Sequence, residues 1–397
     1  MSLADRFGRD IVLSGWGHTR FGKSDADQEE LIVDVAGQAI DAAGLEPSDI
    51  DEIFVGNFNS GMVPLAFPSS LALQLSDDLA GVPATRVENA CASGSAAVHQ
   101  GIKSILAGTS RTVLVIGVEK MTAAGADKVG AALLGADYEM AGSSSDTGFA
   151  GLFAEVADAY AERYGDPSAA MGTIAAKNHA NGTKNEFAHL RRDFGLEFCS
   201  TVSEKNPVVA GLLRRTDCSP ISDGAAALVL TTADNTSTGA RTAPVRLTGF
   251  AQANDFLPSS KRDPLAFVGS VTAWQRAMDM AGVDLDDLSF VEVHDCFTIA
   301  ELIMYEVIGL VPRGHGAQAL EDGRVRSDGT LPVNVSGGLK SKGHPVGATG
   351  VSQHVLSAMQ LTGTAGEMQL ADPRRAAVHN MGGLAIANYV SVLERTD

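Results

Sequence analysis

Residues 87–120 read VENACASGSAAVHQGIKSILAGTSRTVLVIGVEK. A strand end is followed by a turn of small residues around Cys91, then a helix that stops at Gly108. After it comes a continuous apolar run from Thr112 of the kind found in strands buried on both faces. Strand, turn, helix and buried strand in that order predict a layered α/β fold. The segments around this unit have the same rhythm. DIVLSGWGHTRFG reads as a strand running into a loop, EELIVDVAGQAIDAAG as an amphipathic helix stopping at Gly44, and IDEIFVGNF as a strand.

The second half of the chain repeats the plan. EELIVDVAGQAIDAAGL followed by IDEIFVG corresponds to SVTAWQRAMDMAGV followed by LSFVEVHD. ENACASGSAAVHQGIKSILAG likewise corresponds to NVSGGLKSKGHPVGATGVSQHVLSAMQLTG. An internal duplication of a βαβ-rich unit accounts for both matches. Between the halves the rhythm breaks: glycine- and serine-rich stretches, helices such as LFAEVADAYAERYG and the charged run NGTKNEFAHLRRDFG read as an insertion over the core. The expected organisation is a first half of 1–120 and 217–243, an inserted loop domain of 121–216, and a second half of 244–397.

Composition bounds the function. The 397 residues are 45% hydrophobic, and 43 of them are glycine, which indicates many tight turns and close backbone approaches. A net charge of −18 argues against a general nucleic-acid binder, which needs basic stripes for phosphates. It leaves room for a small anionic ligand held by a few local cations. No run approaches the roughly 18 uninterrupted apolar residues of a membrane span. The ends carry neither an apolar signal core nor a peroxisomal tripeptide, so a cytoplasmic location is expected. The 4 cysteines lack CxxC spacing and are expected to be free thiols, with no zinc cage.

Four strand-to-helix turns carry the reactive side chains, where open α/β sheets bind ligands. Cys91 is either a packed thiol or a nucleophile, and a helix N-terminus there favours a thiolate. VEVHDCF (291–297) sets His294, Asp295 and Cys296 together, or is a polar turn with Asp295 or Thr298 capping the following helix. GGLKSKGHPVGATG (337–350) holds His344 before a proline, with Lys340 and Lys342 placed for phosphates or simply for water. AVHNMGGLAIANYV (377–390) supplies His379 and Asn380, structural or catalytic. Two cysteines and three histidines on equivalent turns suggest acyl transfer: a thiolate attacks a thioester or ketone, a second thiol or histidine moves a proton, and histidine or backbone N–H groups hold the oxyanion.

NACASGSAA, PISDGAAALVL, EVHDCFTIAE, GGLKSKGHPVGATG and the terminal HN-M-GG turn together resemble the thiolase superfamily, most closely its sterol-carrier-protein-x and archaeal types. The resemblance spans the chain in order. It implies a five-layered α-β-α-β-α fold, two similar halves with an inserted loop domain, and a thiolase-type acyl-CoA C-acyltransferase. Cys91 then matches the acylated nucleophile, and His344 the histidine that activates it and joins the oxyanion site. His294 stands at the asparagine of the NEAF motif, Cys296 becomes the acid/base cysteine, and His379 replaces the CxG cysteine. The second oxyanion site would use the N–H of Cys91 and one near Met381 or Gly382.

The resemblance further implies coenzyme A as a substrate, no cofactor and no metal, and a homodimer or tetramer acting in fatty acid or steroid metabolism. Lys205, Arg214, Arg215, Lys340 and Lys342 are the candidate cations for CoA phosphates. Two alternatives stay open. One is a retro-aldolase or an acyltransferase on another acceptor, and the other is a non-catalytic CoA-binding partner subunit.

Overall fold

The computed structural model describes residues 3–396. In chain order the first half supplies α1 (Leu3–Phe7), β1 (Ile11–His18), α2 (Gln28–Ala42), β2 (Glu52–Gly56), β3 (Ala84–Val87), α3 (Ser93–Ala107) and β4 (Thr112–Glu119). Helices α4 (Ala126–Leu134), α5 (Gly148–Tyr164), α6 (Ser168–Gly182) and α7 (Gly195–Ser200) follow. The hairpin β5 (Val208–Ala210) and β6 (Leu213–Arg214) then leads to β7 (Gly224–Thr232). The second half supplies β8 (Val245–Asn254), α8 (Val268–Ala281), β9 (Phe290–Glu292), α9 (Thr298–Val307) and α10 (Gly316–Glu321). It ends with α11 (Gly338–Lys342), α12 (Thr349–Leu361), β10 (Arg375–Gly382) and β11 (Ala387–Arg395).

The strand order carries the duplication. The first half runs β3-β2-β4-β7-β1 and the second β9-β10-β11-β8 from the opposite edge. β2 is parallel to β3 and β4 and β4 antiparallel to β7, just as β9 is parallel to β10 and β10 antiparallel to β11. The counterpart of β3 shrinks to a single parallel bridge between Val291 and Val333. The halves join where Ile11, Val12 and Leu13 pair antiparallel with Leu247, Arg246 and Val245, so the two sheets share a nine-stranded order.

The layers follow from the helices. α2 packs on β1, β7 and β4, and α8 on β8 and β11. α3 and α12 lie against each other, and α12 touches strands of both halves, which makes this pair the central layer. Two glycines set the outer layers. A Cβ on Gly15 of β1 would meet the Ala39 carbonyl of α2 at 2.4 Å, and one on Gly249 of β8 the Ala277 carbonyl of α8 at 2.3 Å. α2 is set by sequence at both levels: Asp27 and Glu30 form a capping box, and Leu31, Ile32, Val35, Ala36, Ala39 and Ile40 form its buried stripe. Each fully buried Leu, Ile or Val there contributes about 1.5–3 kcal/mol.

Candidate active site

The Cys91 turn is built by its neighbours. Ala90 takes a left-handed conformation (φ 49°), which bends the chain out of β3 and into α3. Ser93 Oγ donates to the Ala90 carbonyl at 2.6 Å and accepts from Asn89 N at 2.9 Å, stapling that bend. Gly382 runs flush against it: a Cβ there would lie 2.2 Å from the Asn89 carbonyl. Cys91 is 6% exposed and packs with Phe58, Met62, Met121, Val129, Ala132 and Val346. Burial pushes its thiol up to about 12, while the N–H groups of Gly383 and of Cys91 itself act in the opposite direction and Glu119 and Glu88 raise it further. The thiolate expected from the helix N-terminus is therefore not the resting state. Burial outweighs the local dipoles, and Cys91 rests as a thiol.

The four turns converge. The Cys91 Sγ and a ring nitrogen each of His294 and His344 lie within 4.8 Å of one another. The two rings sit edge to face, with centroids 5.1 Å apart. Cys296 is buried beside them, its thiol held well above the usual range by burial, then by Cys91 and by Asp295.

Hydrogen bonds assign the tautomers of the two rings. Thr349 Oγ1 donates to the Pro345 carbonyl at 3.1 Å, so it accepts from His344 Nδ1 at 2.6 Å, and Nε2 of His344 is bare. Asn380 Nδ2 faces the Cys91 carbonyl at 3.2 Å, which only accepts, and also His294 Nδ1 at 2.9 Å. His294 Nδ1 therefore accepts and its Nε2 carries the proton. Neither Nε2 has a protein partner. Burial and then Lys342 bring His344 down to about 3; His294 is lowered well below its ordinary value by burial, His344, His379 and Lys342. Both rings are neutral, one presenting a lone pair and the other an N–H.

Several expectations need correction. His379 lies on β10, where successive side chains alternate. Its Nε2 meets Ser270 Oγ of α8 at 3.2 Å, and its neighbour Asn380 is the residue that reaches Cys91 and His294. Met381 is fully buried in the core of the second half, and the glycine N–H that faces the Cys91 sulfur is that of Gly383, one residue beyond Gly382.

The candidate cations fail for a different reason. Lys340 and Lys342 are 3% and 0% exposed; Lys342 Nζ donates to Ser352 Oγ at 3.1 Å. Arg214, 4% exposed, is committed to Asp217 at 2.8 Å and to the Ser168 carbonyl at 2.7 Å. None of the three can reach a phosphate in solvent, whereas Lys205 and Arg215 are exposed. Asp295 does not cap α9: it takes the N–H groups of Leu339 at 2.6 Å and Lys340 at 3.3 Å in α11.

Sequence reasoning passed over Glu119. Its carboxylate accepts from Asn57 Nδ2 at 3.0 Å, Phe58 N and Asn59 N at 2.9 Å, and Gly347 N at 3.0 Å, tying the His344 loop to the end of β4. A lone acid closing an apolar strand was its signal. Beside the site lies a cavity of about 540 Å³, lined by Phe58, Arg86, Glu88, Ala90, Leu257 and Gly383 among others.

Comparison with known proteins agrees with this geometry. Residues 11–194 match the family model described as thiolase, N-terminal domain, and residues 251–395 that described as thiolase C-terminal domain-like. An acetyl-CoA acetyltransferase of Methanothermobacter thermautotrophicus is 36% identical over 98% of this chain and 100% of its own length. The chain belongs to the thiolase family. Sterol carrier protein 2 of Homo sapiens is 30% identical over 94% of this thiolase chain and 70% of its own length. The solved structure of human mitochondrial 3-ketoacyl-CoA thiolase in complex with CoA superposes on the whole chain with a TM-score of 0.75 at 18% identity, which bears on the fold. Among the described residues no helix is long and apolar enough to cross a membrane.

Proposed function

We propose that Cys91 is acylated by an acyl-CoA and that Cys296 moves the α-proton of a second acyl-CoA. The chain is a thiolase-type acyl-CoA C-acyltransferase, and neither a lyase nor a binding-subunit reading is favoured beside its acetyltransferase relatives. The observation that carries the site assignment is the cluster of Cys91, His294 and His344 with ligand atoms within 4.8 Å, one ring presenting a lone pair and the other a proton.

In the thiolytic direction Cys91 attacks the ketone carbon of a 3-oxoacyl-CoA as its proton passes to His344 Nε2. The N–H groups of His294 and Gly383 are the donors available to carbonyl oxygens that take on charge. The carbon–carbon bond breaks, the electron pair goes to the acetyl-CoA enolate, and the Cys296 thiol protonates it. The thiol of a second CoA then gives its proton to the Cys296 thiolate and attacks the acyl group, and the departing Cys91 sulfur takes back the proton held on His344, so both cysteines end as thiols and both rings neutral. Condensation runs these steps in reverse. The reading requires no cofactor, and CoA enters as a substrate.

Energetics favour a concerted first step. With Cys91 at about 12 and His344 at about 3, a separated thiolate–imidazolium pair lies roughly 12 kcal/mol uphill at about 1.36 kcal/mol per unit. Coulomb attraction at about 4 Å returns about 4 kcal/mol at an effective dielectric of 20. The remaining ~8 kcal/mol takes up about half of the ~16 kcal/mol barrier of an enzyme turning over about 10 times a second, and moving the proton as the carbon–sulfur bond forms avoids that cost.

The cavity of about 540 Å³ beside Ala90 and Gly383 is the proposed approach for the acyl chain and pantetheine arm. A homodimer in the cytoplasm, working in fatty acid or steroid breakdown, completes the reading. Thiolysis of a panel of short, long, branched and steroid-like 3-oxoacyl-CoAs, followed by acetyl-CoA release, tests it. Release from at least one member that is lost in Cys91→Ala supports it; no release from any member contradicts it.

A further inference from the structure

Two polar side chains sit next to each other on β10 and point to opposite faces. His379 turns towards α8, whereas Asn380 turns into the layer that holds Cys91 and His294. Asn380 is fully buried and bridges the two halves: its Nδ2 reaches the Cys91 carbonyl at 3.2 Å and His294 Nδ1 at 2.9 Å. Its amide orientation is not free. A 180° rotation would set Oδ1 against the Cys91 carbonyl and leave two acceptors facing each other.

The other end of the amide makes the case stronger. Asn380 Oδ1 is buried without a hydrogen-bond partner, close enough to Gly350 that a Cβ there would lie 2.6 Å from it. An unpaired buried acceptor costs about 1–3 kcal/mol. A residue present only for packing gains nothing from that cost, since an apolar side chain of the same shape avoids it.

We propose that Asn380 is a positioning residue that locks neutral His294 as the Nε2–H tautomer, so that this ring offers a donor, not a second lone pair, to the thioester oxygen at Cys91. The proposal rests on the acyl-transfer reading of the site. It explains why two histidines 5.1 Å apart have opposite polarity: Thr349 accepts from Nδ1 of His344, and Asn380 donates to Nδ1 of His294. Without Asn380, a neutral His294 would divide between tautomers. The Nδ1–H form would turn a lone pair towards an oxygen that is becoming negative. The charged and titratable groups about this ring are His344, His379 and Lys342, all of which disfavour its protonation, and the Cys91 and Cys296 thiols, which burial keeps neutral.

The test uses the full-length enzyme, acetyl-CoA and two variants, Asn380→Ala and Asn380→Asp. The rate of Cys91 acylation is read by rapid-quench mass spectrometry between pH 5.5 and 9. Ring-¹⁵N-histidine spectra of all three proteins report the tautomer of His294, whose signals are assigned with His294→Gln. In Asn380→Ala acylation falls about tenfold at every pH with KM for acetyl-CoA within twofold. In Asn380→Asp the carboxylate accepts from Nδ1–H, so at high pH acylation falls by the roughly 10²–10³-fold associated with losing one oxyanion donor.

As the pH drops, His294 in Asn380→Asp becomes an imidazolium paired with the new carboxylate, regains an Nε2 proton, and the rate recovers. The parent enzyme shows no such recovery, and its His294 spectrum is that of an Nε2–H ring. Wild-type acylation rates in Asn380→Asp at all pH values, or an Nδ1–H ring in the parent enzyme, would overturn the proposal. If the parent leaves Cys91 unacylated, the acyl-transfer reading fails instead, and the ring spectra still decide what Asn380 does to His294.

Discussion

Alkylation of Cys91 by iodoacetamide probes the balance that sets the resting state of the site. Burial holds this thiol at about 12 where an ordinary one sits at 9.0. Three units cost about a thousandfold in thiolate at neutral pH, at tenfold per unit. A more basic thiolate is also a better nucleophile, and a Brønsted slope of about 0.4–0.5 over three units returns roughly 15- to 30-fold. Cys91 is therefore expected to react about 50-fold more slowly than a free cysteine at pH 7.5. Its rate should rise about tenfold per pH unit through pH 9.5 without a plateau. The peptide carrying Cys91 is followed by mass spectrometry, which separates it from Cys199, Cys218 and Cys296. Steric shielding would lower the whole curve without bending it, so the slope decides. A plateau with its midpoint below about pH 8 would mean that the N–H groups of Cys91 and Gly383, with the head of α3, outweigh burial, and the reasoning would fail.

Cys296→Ala is expected to leave Cys91 acylation within about threefold and to lower carbon–carbon bond formation by at least the 10²–10⁴ typical of a lost general acid–base, measured by product quantification; normal thiolysis in that variant removes Cys296 from the mechanism. Arg214→Ala should cost about 3–5 kcal/mol in urea unfolding because Asp217 is left buried and unpaired, with KM for CoA changed less than twofold; a large rise in KM without loss of stability would return Arg214 to the substrate.

Stability should fall steeply in mild acid. His18, His344 and His379 are held at about 3 and His354 at about 4, so below 6.5 the unfolded chain binds protons that the folded chain refuses. Each contributes about 1.4 kcal/mol per pH unit, roughly 5–6 for the four together. Glu119, held at about 7, runs the opposite way between pH 7 and 4.5 and offsets about 1.4 of this. Urea midpoints that stay flat from pH 6 to 5 would contradict the sum.

The duplication was legible because it rests on periodicity and on turn chemistry. The matched helices and strands differ in sequence, yet EELIVDVAGQAIDAAGL and SVTAWQRAMDMAGV became α2 and α8, one on each outer face. The pairing of β1 with β8 was not legible, since an edge partner is chosen by where two assembled halves meet and not by either strand alone. Cys91, His294, Cys296 and His344 were legible because each lies on a strand-to-helix turn or in a glycine-rich loop. His379 misled because adjacent residues on a strand face opposite ways, and only the register in which His379 pairs with Val390 settles which side is which. Lys340 and Lys342 read as loop cations, but the short helix α11 is covered by α6 and both side chains are buried. The Cys91 ionisation misled for a related reason. A helix N-terminus is visible in sequence, whereas the apolar wall of Phe58, Met62, Met121 and Val346 assembles only in three dimensions.

The most direct measurement is the mass of the intact chain after brief incubation with acetyl-CoA at neutral pH, with digestion to locate any adduct. The account predicts one acetyl group, on Cys91, removed by added CoA and absent in Cys91→Ala. An unmodified chain, or an acetyl group on Cys296, Cys199 or Cys218 with Cys91 free, would contradict it.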